Sequence, residues 1–547
     1  MIHYRISCLN PASQFVEFEL RIPSKNAEKI HLQLPAWRAG RYQLANYAQN
    51  IRSFKIKNSS GQNITFQKVS KDCWVFVTED SQEYLISYEY FAAKMDGGSA
   101  WADEEEVYLN FVNCCFEIKE MADEPYELEI YLPEYPNLVS TLPESGNGFL
   151  LANNFQQLAD STILASKNVT HWEYLVGETL FHIWIHGEIH FEKEAFIENF
   201  RKFTQTQIRD LGEFPESEYH FIFQLLAYPH FHGVEHRRGT IITFGPAENL
   251  KDTLHMNELL GVSSHELYHA WNVCRIRPKE LLPYDFSKET YTKAGWMLEG
   301  ITTYMGDLYL LKSGVFDLPT YLNEVEDLLN RESLNDGWRN YSILESSLDL
   351  WLDGYQAGIP DRKVNIYSHG AVICFCLDIM LLKDGSSLPE VMKLAWEKYG
   401  KPFQGYDENG IWNLILDCAN DKEKFNSFFE NYISGKEDLL KYFGSVVPNL
   451  GFKLQSIPNP DSLTSKLGIL LQKEVISKIH SDSPAYSSLM IGDRIKAQIS
   501  TNGISIEATR INGKNYLFDF PIPDKECDPN FSIQIGPATN EREKWME

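Results

Sequence analysis

The stretch Ser263-Ser264-His265-Glu266-Leu267-Tyr268-His269-Ala270-Trp271-Asn272 sets two histidines four positions apart, with a glutamate directly after the first. On an α-helix that spacing is about one turn, so both imidazoles share a face and can reach one metal ion. The glutamate points to a neighbouring part of that face, where it can take a proton from a metal-polarised water instead of binding the metal. The chemistry this pattern can perform is hydrolysis by zinc-activated water. A core helix can also spell H-E-x-x-H by chance, so the rest of such a site has to be found elsewhere in the chain.

A catalytic zinc takes three protein ligands and keeps one position for water. Glu299, in Trp296-Met297-Leu298-Glu299-Gly300, is the best candidate for the third ligand, with Asp285 and Asp307 as rivals. The interval after His269 is long enough for the metal helix to end near Pro278, a loop to cross and a second helix to begin. Bound zinc lowers the pKa of its water to roughly 7, and Glu266 then serves as general base and afterwards as general acid toward the leaving amine. The tetrahedral intermediate needs a donor for its oxyanion. Tyr367, in Tyr367-Ser368-His369-Gly370-Ala371 at the head of a strongly apolar helix, is the tyrosine chosen for it. Upstream, His232-Gly233-Val234-Glu235-His236 leads into an apolar run. A glycine lets backbone approach a ligand closely, and a carboxylate at such a strand edge can hold a substrate ammonium. Read alone, the segment is equally a surface hairpin with a solvated charge cluster.

These groups are spread along 547 residues, too many for one core and, at about 150 per domain, enough for three or four units. The balance of 50 basic against 76 acidic side chains gives a net charge of -26. That argues against nucleic acid or an anionic membrane as partner, because either needs a basic face. Met1 to Cys8 lack the basic-then-apolar pattern of a secretory signal, and no apolar run approaches the ~18 residues of a membrane span. The cysteines, among them Cys114 next to Cys115 and Cys374 two before Cys376, lack zinc-knuckle spacing and read as buried thiols of a reducing compartment. A soluble, cytoplasmic protein is the expectation.

Residues 1–165 read as an N-terminal antiparallel β-sandwich, because 15–22, 29–34, 84–90 and 126–132 alternate apolar and polar with period two. Inside it, Leu34-Pro35-Ala36-Trp37-Arg38-Ala39-Gly40-Arg41-Tyr42 reads as a loop that packs one domain on the next. Residues 166–447 read as the catalytic unit, with a sheet lobe over 166–250 and, from the metal helix onward, a helical lobe over 251–447. A sheet followed by helices, with a cleft between the lobes, is the layout of zinc peptidases. His182, His186 and His190 fall on an alternating strand and read as structural, since an i, i+4 spacing loses its meaning there. Residues 448–547 return to short β segments after the turn-rich Ile457-Pro458-Asn459-Pro460-Asp461.

Taken together, three segments resemble the PDZ-containing glycyl aminopeptidase family of zinc metallopeptidases, gluzincins related to thermolysin. They are Leu34-Pro35-Ala36-Trp37 with Gly40 and Tyr42, the extended run from His265 to Asn272 and on through Arg275-Ile276-Arg277-Pro278, and Trp296 to Tyr304. The resemblance covers nearly the whole chain. It implies one Zn2+ per chain, held by His265, His269 and Glu299 in a thermolysin-like α+β catalytic domain with a mainly helical second lobe. His232-Gly233-Val234-Glu235-His236 stands where the family has Gly-Gly-Leu-Glu-His, which implies that Gly233, Val234, Glu235 and His236 bind substrate and that Glu235 holds the free α-amine. Tyr367-Ser368-His369-Gly370 stands where related aminopeptidases have Tyr-x-Lys-Gly, which implies that Tyr367 stabilises the oxyanion. The tail is similar to a C-terminal PDZ-like domain, with Leu467-Gly468-Ile469-Leu470 as carboxylate loop and a peptide C-terminus as a second partner. His232 departs from the family's glycine, His369 from its lysine and Ala39 from its proline.

The reading is thus a zinc-dependent aminopeptidase acting on peptides with a free N-terminus. A zinc endopeptidase or other zinc hydrolase, and a PDZ-type binding protein with a non-catalytic zinc centre, stay open beside it, as do oligomeric state and the preferred N-terminal residue.

Overall fold

The computed structural model describes residues 1–24, 27–79, 81–355, 358–523 and 526–547. The period-two segments of the N-terminal part become strands whose apolar residues face inward. In Phe15–Pro23, Val16, Phe18, Leu20 and Ile22 are buried, while Glu17, Glu19 and Arg21 between them are not. Three sheets result, one of six strands and two of four. The sandwich is not purely antiparallel as expected, because Ile2–Ser7 lies parallel to Tyr126–Tyr131, with Ile2 opposite Tyr126. Alternation assigns a face to each side chain and says nothing about the direction of the neighbouring strand.

A five-stranded sheet follows, in the order Thr170–Val176, Thr179–His186, Glu218–Leu225, Gly239–Gly245, His230–His236. Its second, third and fourth strands are mutually parallel, and His230–His236 returns antiparallel to form one edge. The first parallel pair needs a crossover, which the helix Lys193–Leu211 supplies, with Phe200 packing edge-on to Phe221 at 4.9 Å. The metal helix is Thr253–Tyr268. In the helical lobe, Ser368–Asp384 is buried over most of its length, as a helix apolar on all sides must be. No helix among the described residues is long and apolar enough to cross a membrane.

The stretch 448–547, expected as one PDZ-like unit, divides in two. Phe452–Ile457 pairs with Asn530–Ile535, and Phe452, Ile533 and Trp545 are buried in the main core. The Trp545 indole N–H donates to the Tyr304 hydroxyl at 2.9 Å, which ties the final helix, Asn540–Met546, to the helical lobe. Between those strands sits a five-stranded antiparallel meander from Ile469–Gln472 to Asn515–Phe520, with its own small core around Leu467, Ile476 and Ile506. Among the described residues no helix lies between Asn515–Phe520 and Asn530–Ile535.

Candidate active site

His265 lies in the last turn of the metal helix and His269 just past its end. The helix stops at Tyr268, earlier than the expected Pro278, yet the His269 N–H still donates to the His265 carbonyl, so the one-turn geometry survives. The two Nε2 atoms are 3.0 Å apart, and Glu299 Oε2 lies 3.7 Å from His265 Nε2 and 3.5 Å from His269 Nε2. Glu299 sits on a single π-helical turn, Trp296–Gly300, that leads into Ile301–Lys312; such turns recur at functional sites. The rivals fall away. Asp285 accepts from the N–H and hydroxyl of Ser287, and Asp307 belongs to no such cluster among the described residues.

Asn272 joins the two halves of this centre, a role its place in the motif did not reveal. Its carbonyl accepts the His269 Nδ1–H at 2.7 Å, which leaves the Nε2 lone pair for a metal. Its side-chain amide donates to the Met297 carbonyl at 2.9 Å and to Thr302 Oγ1 at 3.0 Å, holding the Glu299 turn against the end of the metal helix.

Glycines bring the remaining helices into backbone contact. A Cβ on Gly300 would lie 2.6 Å from Gly370 Cα, and one on Gly306 would lie 2.9 Å from His265 Cα. The first crossing carries Tyr367 to the paired imidazoles, its ring 6.5 Å from that of His265. Tyr355, not singled out by the sequence, lies 6.5 Å from Tyr367, ring to ring, and its hydroxyl accepts the Tyr42 N–H at 3.3 Å. His369 pairs instead with the buried Glu332, Nδ1 to Oε2 at 2.9 Å, and Ser368 donates to the other oxygen of Glu332. Glu332 therefore anchors both residues that follow Tyr367.

On the opposite wall, the edge strand His230–His236 passes over Glu266 so closely that a Cβ on Gly233 would lie 2.2 Å from Glu266 Oε1. Glu235 shares the face of Gly233. Val234 and His236, expected among the substrate contacts, turn their side chains to the other face, because a strand alternates; His236 Nδ1 lies 3.7 Å from Asp160 Oδ1. Of the four expected substrate contacts, Gly233 and Glu235 therefore face Glu266, and Val234 and His236 can meet a substrate only through their backbone.

The loop 34–42 packs domain on domain as expected, through Trp37. Its indole N–H donates to the Asp285 carbonyl at 2.9 Å, and its ring meets Trp351 edge-on at 5.0 Å. The far end of the loop enters the cleft. Gly40, with φ +71°, touches Glu235, since a Cβ there would lie 2.2 Å from Glu235 Oε1. Arg38 donates to the Ala39 carbonyl at 2.8 Å and lies 3.3 Å from His232 Nε2, while His232 Nδ1 lies 3.6 Å from Asp96.

Glu235, Glu266 and His269 place ligand atoms within 4.8 Å of one another, and Glu235 Oε1 and Glu266 Oε2 are buried without a hydrogen-bond partner among the described residues. Burial, reinforced by Glu235 and Glu299, pushes the Glu266 carboxyl up to about 8 against the lowering by His269 and Arg38. Burial lowers His269, but the bond to Glu299 outweighs it and pushes that imidazole up to about 10. A field that draws a proton onto a buried imidazole also favours a divalent cation. Two imidazole nitrogens and a carboxylate, with orphaned acidic oxygens beside them, fit an ion of the zinc type. The cleft around them measures about 1670 Å³ and takes its lining from Arg38 and Gly40, from Glu235, Glu266 and Tyr367, and from Asn530 of the tail.

The family model of the Peptidase M61 N-terminal domain matches residues 3–167, and that of M61 glycyl aminopeptidase matches residues 258–373. No curated protein matches the chain. Among solved structures, an aminopeptidase N family protein from Idiomarina loihiensis is similar over 100% of both chains, with a TM-score of 0.90 at 23% identity. An M1 zinc metallopeptidase from Deinococcus radiodurans is similar over 80% of this chain and 94% of its own, with a TM-score of 0.51 at 11% identity. A variant of that protein bound to a Tyr-Ser-Ala substrate is similar to the same extent. At these identities the likeness is one of fold.

Proposed function

Because the chain belongs to the M61 glycyl aminopeptidase family, we propose that it is a zinc-dependent aminopeptidase that removes residues from the free amino end of peptides. One Zn2+ held by His265, His269 and Glu299 supplies the acidity that makes water nucleophilic near neutral pH. Glu266, fixed beneath Gly233, accepts the proton of the attacking water and returns it to the leaving amine. The Tyr367 hydroxyl donates to the oxyanion. The peptide lies along the free edge of His230–His236, backbone to backbone, and its α-ammonium meets Glu235. The sandwich of 1–165 lends the loop that closes the amine end, 166–447 carries the chemistry, and the meander within 448–547 is a PDZ-like module for a peptide C-terminus.

The observation that carries the aminopeptidase reading is Glu235: a buried carboxylate with an oxygen unpartnered among the described residues, within 4.8 Å of the Glu266 and His269 ligand atoms and backed by Gly40. A charge so placed is costly unless a cation meets it. The test compares one peptide amide with a free amine and its acetylated twin, using the wild type and Glu235→Ala. The wild type should cleave only the free-amine peptide. Loss of a charge-assisted contact should raise KM for that peptide by roughly 10- to 100-fold. Equal cleavage of both peptides by the wild type would favour an endopeptidase, and cleavage of neither by a zinc-loaded chain would favour a binding protein.

A further inference from the structure

The sheet that carries Glu235 also gathers histidines toward its other edge, on its opposite face. His171 lies in Thr170–Val176, His182 in Thr179–His186 and His220 in Glu218–Leu225. The ladders set Glu173 opposite His182 on one side and His220 opposite it on the other. Spacing along the strand points from His182 to His186, but His186 is occupied elsewhere, with Nδ1 2.9 Å from Ser166 Oγ. The true neighbours of His182 lie across the ladder.

His171 Nε2 and His182 Nδ1 are 3.0 Å apart, the same separation as the paired nitrogens of His265 and His269. Glu173 adds a carboxylate oxygen, and the three ligand atoms lie within 4.8 Å of one another. Both rings are held in place. His171 stacks on Trp184 with centroids 3.6 Å apart, and His182 stacks on His220 at 4.6 Å. The Trp184 indole N–H donates to His220 Nδ1 at 3.1 Å, so neutral His220 carries its proton on Nε2 and acts as a support with no lone pair to give. His182 Nε2 faces Glu218 Oε2 at 3.8 Å, and Glu218 is paired with Arg238. A carboxylate behind one ring nitrogen places the proton there and aims the other lone pair outward, as behind metal-bound imidazoles generally.

We propose that His171, Glu173 and His182 form a second site for a divalent transition metal of the zinc class, separate from the cleft. Without the ion, one of the facing nitrogens carries a proton and donates to the other; the ion takes the place of that proton. His171 and Glu173 are exposed, so water can complete the coordination.

The test is a zinc titration of the metal-stripped full-length chain by calorimetry, run on the wild type, on His171→Ala/His182→Ala and on His265→Ala/His269→Ala. The first double variant should take up one equivalent fewer than the wild type while its peptidase activity and thermal transition stay unchanged. The second should retain the equivalent that the first has lost. His171→Gln alone, at an exposed position, should weaken that step by about tenfold or more. Uptake by His171→Ala/His182→Ala equal to that of the wild type would overturn the proposal, whatever is found at His265 and His269. Its loss there supports the proposal even if the cleft binds no zinc.

Discussion

The backbone at Gly233 and the carboxylate of Glu266 are in contact only because residue 233 has no side chain: a Cβ there would lie 2.2 Å from Glu266 Oε1. The edge strand His230–His236 and the Glu266 carboxylate therefore fix each other's position. In Gly233→Ala one of them must give way. Displacement of a catalytic group by about 1 Å costs on the order of 100-fold in rate, so kcat should fall by about that factor. Zinc content should not change, because Glu266 is no ligand. Steady-state kinetics and metal analysis of one preparation check both halves, and an unchanged kcat would show that the carboxylate has room to move.

Glu266→Gln keeps the shape and removes the carboxylate proposed as the base. Zinc should bind as in the wild type, while kcat falls by roughly 10²- to 10⁴-fold. Near-normal turnover in this variant would end the assignment of Glu266 as the proton carrier.

Asn272→Ala tests the link between the metal helix and the Glu299 turn. Truncation leaves the Met297 carbonyl and Thr302 Oγ1 without their donor, and Glu299 loses its fixed position relative to His269. Groups that orient metal ligands are typically worth 10- to 100-fold in affinity. Competition with a chelator should show zinc affinity weakened by about that factor, with much of kcat restored at saturating zinc. Wild-type affinity would mean that the π turn holds itself.

What is legible in the sequence here is what local geometry determines. His265, Glu266 and His269 can be read because four positions on a helix span a fixed distance, and Glu299 because such a pair calls for a third ligand downstream. The contact of Gly300 with Gly370 cannot be read, since a glycine of this kind is defined by the neighbour it admits. The same holds for Gly40 against Glu235. The orientations of Val234 and His236 were available from the strand period, which separates them from Glu235 without any structure. The parallel pairing of Ile2–Ser7 with Tyr126–Tyr131 and the return of Trp545 to the helical lobe are non-local, and no periodicity encodes them.

The meander reaches the helical lobe through two ion pairs. Lys478 Nζ donates to Asp361 at 2.7 Å, and His480 Nε2 lies 3.0 Å from Asp336 Oδ2. The bond to Asp336 raises His480 above its ordinary 6.5, more than burial lowers it. Burial raises Asp336, but His480, Arg339 and Lys478 together bring it below its ordinary 3.8. A raised imidazole stabilises fully below 6.5, and that contribution is lost as pH climbs through the folded-state value. A depressed carboxyl stabilises above 3.8, and that contribution is lost as pH falls through its own folded-state value. The pair is complete between those two limits, and docking weakens on the alkaline side. Lys478 and Tyr367 line one cavity of about 250 Å³, so looser docking extends to the neighbourhood of Tyr367. Amide exchange in Val475–Ile479, corrected for intrinsic rate, should be less protected at about pH 8.5 than at about pH 6, and His480→Ala should remove the difference. Equal protection of the wild type at both values would show that the imidazole contributes nothing to holding the meander in place.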